Sequence, residues 1–333
     1  MKDSDFIEKV PFKILTGAQD RYSVIILNTT GNNSVINDLS LLYPQSQYRV
    51  GVSACKTDDL AGIGEIISSV QAKIIILAAG SRTDEITSFI PDSSFSASLI
   101  SSGSYNDIKN NVLDKLLSLR HLSDFSHLGY QQYKYDPEKI NILRDKYFET
   151  LRLGIFRESP ESGEPLLRNK EYIFFDTNSI RIADFPGNPD NSPNGLYAEE
   201  ACILGRYIGM NQSVKVCSVF GFDNSFKAGS PSSQLLAEII WHIAEGVSSS
   251  VTEDPSIRIN DDYFLRKIVN MGEEGQEIVF ITSSISGRWW MEIPDFANNC
   301  SKYVACSFSD YQSAYSGEVP VRWIFFFQKI NPK

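Results

Sequence analysis

Apolar residues arrive along this chain in two rhythms. Short unbroken runs come first: Ser23–Leu27 (SVIIL), Tyr48–Val52 (YRVGV), Lys73–Ala78 (KIIILA), Ser98–Ile100, Glu171–Phe175 (EYIFF) and Val214–Phe220 (VKVCSVF). Runs with so little polar alternation predict strands buried on both faces, as in a parallel sheet. Between them the spacing changes. Leu60, Ile63, Ile66, Ile67 and Val70 recur at helical intervals, and Pro137–Leu153, Tyr197–Ile208 and Ser232–Val247 read the same way. Strands alternating with helices predict a three-layer α/β/α domain built on a mainly parallel sheet. Such a sheet binds ligands at the carboxyl ends of its strands.

Two stretches predict long loops: Asp184–Asn194, with three prolines, and Asp92–Ser104, rich in serine and nearly free of charge. A further change comes near residue 248, where SSSVTEDPS reads as a linker. The expected division is therefore 1–247 for the main domain and 248–333 for a C-terminal extension packed on it. In the extension EIVFITSS, GRWWMEIP, KYVACSFSDY and VRWIFFF predict strands and turns, with Trp289, Trp290 and Trp323 as structural anchors.

The 333 residues suffice for a large core without staples. Thirty-one basic against 41 acidic residues leave a net charge of −10, and no basic run reverses it locally, so nucleic acid is not an expected partner. No run of about eighteen apolar residues would span a membrane. The N-terminal residues carry scattered charges and no apolar core of a secretory signal. Cys55, Cys202, Cys217, Cys300 and Cys306 are widely spaced, which predicts reduced thiols in a cytoplasmic protein.

The informative stretch is FFDTNSIRIADFPGNPDNSPNGLYAEEACILGRYIG, starting at Phe174. It resembles the metal-binding strand and following loop of the arginase/agmatinase/formimidoylglutamase (ureohydrolase) family: a strand ending F-D-x-D, a Pro/Gly loop ending P-x-G-L, then an acidic helix start. HLGYQQY, GRWWMEIP and VPVRW resemble a formimidoylglutamase-like branch. The likeness runs from about Lys73 to the end and is strongest over Tyr172–Gly246. It implies hydrolysis of a guanidino or formimino C–N bond by two manganese ions bridging a hydroxide. In that family a G-G-D-H loop, a D-x-H-x-D strand and a D-x-D pair hold the ions, and a later Glu grips the substrate. A metal pair roughly 3.5–4 Å apart makes a nucleophile of water at neutral pH.

Mapped onto this chain, most of those groups are missing. Ser81 or Arg82 stands at the first histidine, and Ser101, Gly103 and Tyr105 stand where Asp, His and Asp are implied. Asp176 is kept, but Asn178 replaces the second carboxylate of the pair. The substrate-gripping Glu maps to about Gly221, with Asp223 nearby. One carboxylate does not hold a manganese pair. The expectation is therefore a metal-free relict pocket in a non-catalytic protein that binds a protein partner or a small ligand. An active amidino- or formimino-hydrolase with relocated ligands is the rival reading. A phosphate or nucleotide binder using Ala78–Thr83 is a third. Family members often form rings through surface helices, so a homo-oligomer also stays open, though the extension could block that packing.

The residues admit plainer roles too. Asp176 at a strand end can be a cap or turn former. His121, His127 and His242 read as surface or satisfied histidines rather than ligands. Gly62-Ile63-Gly64 lacks a third glycine for a dinucleotide fingerprint. An unpaired Asp176 at the bottom of a cleft is costly unless solvated, protonated or paired. Arg82 is one candidate partner, with Asn178, Ser101 and Tyr105 completing the hydrogen bonds. Water filling the cleft, with Arg82 facing solvent, is the alternative.

Overall fold

The apolar runs assemble into one parallel sheet. The computed structural model describes residues 6–17, 21–44, 48–56, 59, 62–80, 87–103, 112–259, 262–271 and 276–332. Within them nine strands pair in the order β1-β3-β2-β4-β9-β8-β5-β6-β7. These are β1 (Ile7–Lys9), β2 (Val24–Asn28), β3 (Val50–Ala54), β4 (Lys73–Ala79), β5 (Phe95–Ile100), β6 (Leu122–Tyr130), β7 (Glu149–Arg152), β8 (Tyr172–Asp176) and β9 (Val216–Phe222). Every pairing is parallel.

Alternate residues of the central strands feed two separate cores, which is why the runs carry almost no polar positions. Ile26, Ile75, Phe175 and Val219 face one side. Ile25, Ile76, Phe174 and Phe220 face the other. The first side is covered by α1 (Ser34–Leu39), and α2 (Ile63–Ser69), α3 (Val112–Ser118) and α4 (Pro137–Asp145) cover the second. The first side also takes α5 (Leu153–Glu158), α6 (Gly163–Leu167), α7 (Ala198–Met210) and α8 (Pro231–Ser248). The result is the three-layer α/β/α arrangement. After β4 the chain jumps to β5, and β8 and β9 return later to fill the gap between them. Such a reversal of winding marks the carboxyl ends of β4, β9, β8 and β5 as the place where open α/β sheets form their ligand crevice.

A short helix, α9 (Pro255–Arg258), leads to an antiparallel meander of β10 (Phe264–Met271), β11 (Gln276–Ser283), β12 (Trp289–Asp295) and β13 (Cys300–Cys306). Two helices, α10 (Phe308–Tyr315) and α11 (Val321–Ile330), close one face of this sheet over Phe280, Met291 and Trp323. Its other face, with Phe264, Ile281 and Trp290, turns toward the main sheet's helices. Arg168 of the main domain lies over the Trp290 ring, 4.8 Å from its centroid, and donates to the Trp289 carbonyl at 2.9 Å.

Several expectations about elements need correction. The segment 137–153 is not one helix. It stops at Asp145, Tyr147 takes a left-handed backbone (φ 52°), and Glu149–Arg152 leaves as the edge strand β7. The serine-rich stretch 92–104 is not all loop, because Phe95–Ile100 forms β5 in the middle of the sheet. VRWIFFF is a helix, not a strand. Trp323, Phe326, Phe327 and Ile330 fall at i, i+3, i+4 and i+7 and form the stripe that packs on the small sheet. The SFSDY segment likewise starts α10, with Ser307 and Asp310 closing a capping box. All five cysteines are free thiols, three of them buried. No helix among the described residues is long and apolar enough to cross a membrane.

Candidate functional site

Strand β8 is buried along Tyr172–Phe175 and ends at Asp176, which is partly buried at the floor of the crevice. Its carboxylate caps the short turn that follows: Oδ1 accepts from the Asn178 backbone N–H at 2.9 Å. The same oxygen accepts from the Asn178 side-chain amide, also at 2.9 Å. The nitrogen of that amide must face the carboxylate, since its oxygen would be repelled there. Asn178 Oδ1 is thereby turned away and buried with no partner.

The neighbouring strands close in on this carboxylate. From β5, Ser101 Oγ donates to Asp176 Oδ2 at 3.4 Å. From β9, Gly221 presses its backbone against it. A Cβ at Gly221 would come within 2.2 Å of Asp176 Oδ1, and the residue's φ of +89° suits only glycine. Burial pushes the Asp176 carboxyl up to about 7, against the backbone donation from Asn178 that favours its charge.

On the β6 side the crevice is lined by a buried polar network. His127, fully buried, donates from Nε2 to the Ser101 carbonyl at 3.2 Å and lies 3.1 Å from the Tyr135 hydroxyl. Its Nδ1 is then a bare acceptor without a partner. Burial pushes the imidazole down to about 4. Lys134, also buried, extends its ammonium to Ser192 Oγ at 2.8 Å and Ser102 Oγ at 3.3 Å. Ser102 in turn donates to the Asn178 carbonyl at 3.3 Å. The proline-rich segment 184–194 is fastened over this network by Asn188, whose amide donates to the carbonyls of Ile180 at 2.7 Å and Asn178 at 3.3 Å.

The structure thus brings together Ser101, Asp176, Asn178 and Gly221 among the residues singled out from sequence. Gly103 is adjacent, with φ +87°, and its backbone is packed on Tyr135 and the Lys134 stem. Asp223 is exposed and turned outward, bonding Ser225 at 2.7 Å. Ser81, Arg82 and Tyr105 lie outside the described residues, as does the Arg82–Asp176 pairing. Lys134, His127, Ser102, Ser192 and Asn188 complete the crevice and were not singled out as site residues. A charged residue between two tyrosines in QQYKYDP was the one signal for Lys134.

The described donor set does not fit a manganese pair. Among the described residues the carboxylates at these strand ends are Asp176 and the outward-turned Asp223; one Asp176 oxygen is filled by two N–H donors, and its neighbours are a neutral amide, serines and glycines. Among the described residues no three His, Cys, Asp or Glu side chains are grouped to hold a metal ion. Hard dications need several charged oxygen ligands, which this arrangement does not supply.

Comparison by sequence finds no family model and no curated protein that matches the chain. Comparison by structure does find similar folds. A Trypanosoma cruzi formiminoglutamase with Mn2+ superposes with a TM-score of 0.57 at 13% identity, over 70% of this chain and 96% of that one. The formimidoylglutamase of Bacillus subtilis gives 0.60 at 13% identity, over 76% and 93%. Proclavaminate amidino hydrolase from Streptomyces clavuligerus gives 0.53 at 10% identity, over 68% and 91%. The chain therefore has the arginase-type α/β fold, with an antiparallel extension at its C-terminus.

Proposed function

We propose that this chain is a non-catalytic protein on a formimidoylglutamase-like fold, which acts by binding a small ligand or a protein partner. The observation that carries the reading is the Asn178 amide donating to Asp176 Oδ1. A carboxylate in that position would add charge and two acceptors for a dication. The amide instead directs an N–H at the remaining carboxylate and consumes its lone pair. The serines and glycines on the neighbouring strands supply no compensating charge. The proposed setting is the cytoplasm, with the cysteines reduced.

Metal analysis of the purified protein, with assays of formimidoylglutamate, agmatine and arginine hydrolysis, tests the reading. The expected result is less than a tenth of an equivalent of manganese and no turnover above background. About two manganese ions per chain, or turnover that a chelator abolishes, would make it a hydrolase.

A further inference from the structure

We propose that the cleft between the edge of the main sheet and the C-terminal helices binds an amphipathic monocarboxylic acid, with its hydrocarbon body inside and its carboxylate on Arg144 at the mouth. The site is distinct from the strand ends. Ser101, Asp176, Asn178 and Gly221 do not line it, so it stands whether or not a metal binds there.

The cleft forms where β7, the last strand of the sheet, faces α10 and α11. Its volume is about 560 Å³, within the range of pockets that take small organic ligands. The inner walls are the buried side chains of Phe148, Leu151 and Leu166. At the rim Ile155 is 43% exposed and Val321 82%, so apolar surface is left in water beside an apolar cleft.

The polar side chains on the walls are mostly engaged with the protein itself. Arg322 forks onto Glu149 and donates from Nε to the Ala305 carbonyl at 2.7 Å. Asp310 accepts from the backbone N–H and the hydroxyl of Ser307, each at 2.8 Å. Ser162 Oγ donates to the Ser159 carbonyl at 2.6 Å. A ligand body that needs hydrogen bonds along its length would find few here, which favours hydrocarbon over peptide. Arg144 is the exception. It is exposed, its hydrogen bond to Asn141 Oδ1 is a long one of 3.4 Å, and it forms no ion pair among the described residues. The carboxylates of Glu149 and Asp310 are taken and this guanidinium is not, so the unmet charge of the cleft is positive. Its planar fork suits a carboxylate.

Calorimetric titration of the full-length chain with decanoate, below its micelle concentration, tests the assignment. A single decanoate should bind per chain, and octanoate, two methylenes shorter, should bind roughly tenfold more weakly. Decyltrimethylammonium, which cannot meet Arg144, should also bind roughly tenfold more weakly, as should an acetylated tripeptide acid of leucine and phenylalanine. Arg144→Gln should weaken decanoate by about fivefold and leave 1-decanol unchanged, a difference that a merely structural role would not produce. Ile155→Asp, at a half-exposed position, puts a charge on the apolar wall and should weaken decanoate and decanol alike by roughly tenfold. Absence of saturable decanoate binding, or binding that both substitutions leave unchanged, would overturn the proposal. Tighter binding of the ammonium or of the peptide would overturn it as well. If Ile155→Asp does not fold, the comparison of decanoate with decanol in Arg144→Gln decides. Manganese content of the wild type tests the preceding reading separately, whatever the acid does.

Discussion

Two regions of this molecule bury charge, and they do it in opposite ways. At the seam between the main domain and the extension, charges are dense and mutually paired. Glu164 sits between two arginines: Arg168 Nε donates to it at 2.9 Å, and Arg288 Nε lies 3.3 Å away. Arg288 also donates to the Met210 carbonyl at 2.8 Å, and Arg322 of α11 reaches Glu149 on β7. Asp124 takes Lys170 from the main domain and Lys329 from α11, the latter at 3.0 Å. Burial alone would raise the Asp124 carboxyl, but the two lysines outweigh it and hold it low. Among the described residues at the strand ends the charges are few, and polar atoms such as Asn178 Oδ1 and His127 Nδ1 have no partner. There the carboxyl of Asp176 rises instead. The seam pairs most of its charges, although burial still raises the Glu149 carboxyl against Arg322, and Arg288 Nε has no hydrogen bond. The crevice keeps unmet polar capacity, which is a property of places that bind something.

The sharpest way to break this comparison is at the seam. Glu164→Ala leaves Arg168 and Arg288 buried close together without a shared anion. Removing one partner of a buried ionic group costs about 3–5 kcal/mol. Urea unfolding should show a loss of that size, with the extension released first. Limited proteolysis near the 248–263 connection should detect the release. A loss below about 1 kcal/mol would mean the seam is held by Trp290 and its apolar neighbours rather than by the ion pairs.

A second test uses pH, because two groups of the crevice titrate against each other. Asp176 goes from an ordinary 3.8 to about 7 in the fold. The native state therefore holds its proton more tightly. That contribution to stability is complete below about pH 4 and is lost as the pH climbs through about 7. His127 goes from 6.5 to about 4. Its contribution is complete above about pH 6.5 and is lost as the pH falls toward 4. The two slopes oppose one another over the same window, so the wild type should vary little between pH 4.5 and 6.5. Asp176→Asn removes the falling component. In that variant unfolding free energy should rise with pH by up to about 3 kcal/mol across the window, the full value of the His127 shift. His127→Gln should show the reverse slope. Identical pH profiles in wild type and Asp176→Asn would show that Asp176 is as solvated as a surface carboxylate.

How much of this was legible beforehand differs between the two regions for a physical reason. Strands fed by two cores must be apolar at every position, so SVIIL, KIIILA and EYIFF announce themselves. The strands that escaped are nearer the rim. LSDFSHLGY (β6) interleaves polar residues because Asp124 faces the seam and Ser126 and His127 are buried in hydrogen bonds. ETLR (β7) is four residues long and merges with the helical spacing of the segment before it. The helix VRWIFFFQKI reads as a strand if counted by composition, although its Trp323–Phe326–Phe327–Ile330 spacing is helical. In the crevice, the loss of family carboxylates could be read position by position, because it is a matter of residue type. What fills their place could not. Lys134 arrives from the turn after β6, some thirty residues from Ser102 and fifty-eight from Ser192 in sequence, and only the strand order makes them neighbours.

The smallest expected effect separates the crevice from an active metal centre. Asp176→Ala removes a cap from the Thr177–Ser179 turn, a loss worth about 0.5–2 kcal/mol. It also removes a carboxylate whose charge the surroundings disfavour, which offsets much of that loss near neutral pH. Lys134 keeps its hydrogen bonds to Ser192 and Ser102 after the change. The net effect of Asp176→Ala at pH 7.5 should therefore stay within about 1 kcal/mol of wild type, well below that of Glu164→Ala. Ligand or partner binding, once an assay exists, should change by less than tenfold. In a binuclear hydrolase the same substitution would cost several orders of magnitude in turnover together with the metal. Parallel urea unfolding of Asp176→Ala and Glu164→Ala makes the asymmetry measurable, and equal losses would show that the strand-end carboxylate is as tightly held as the seam.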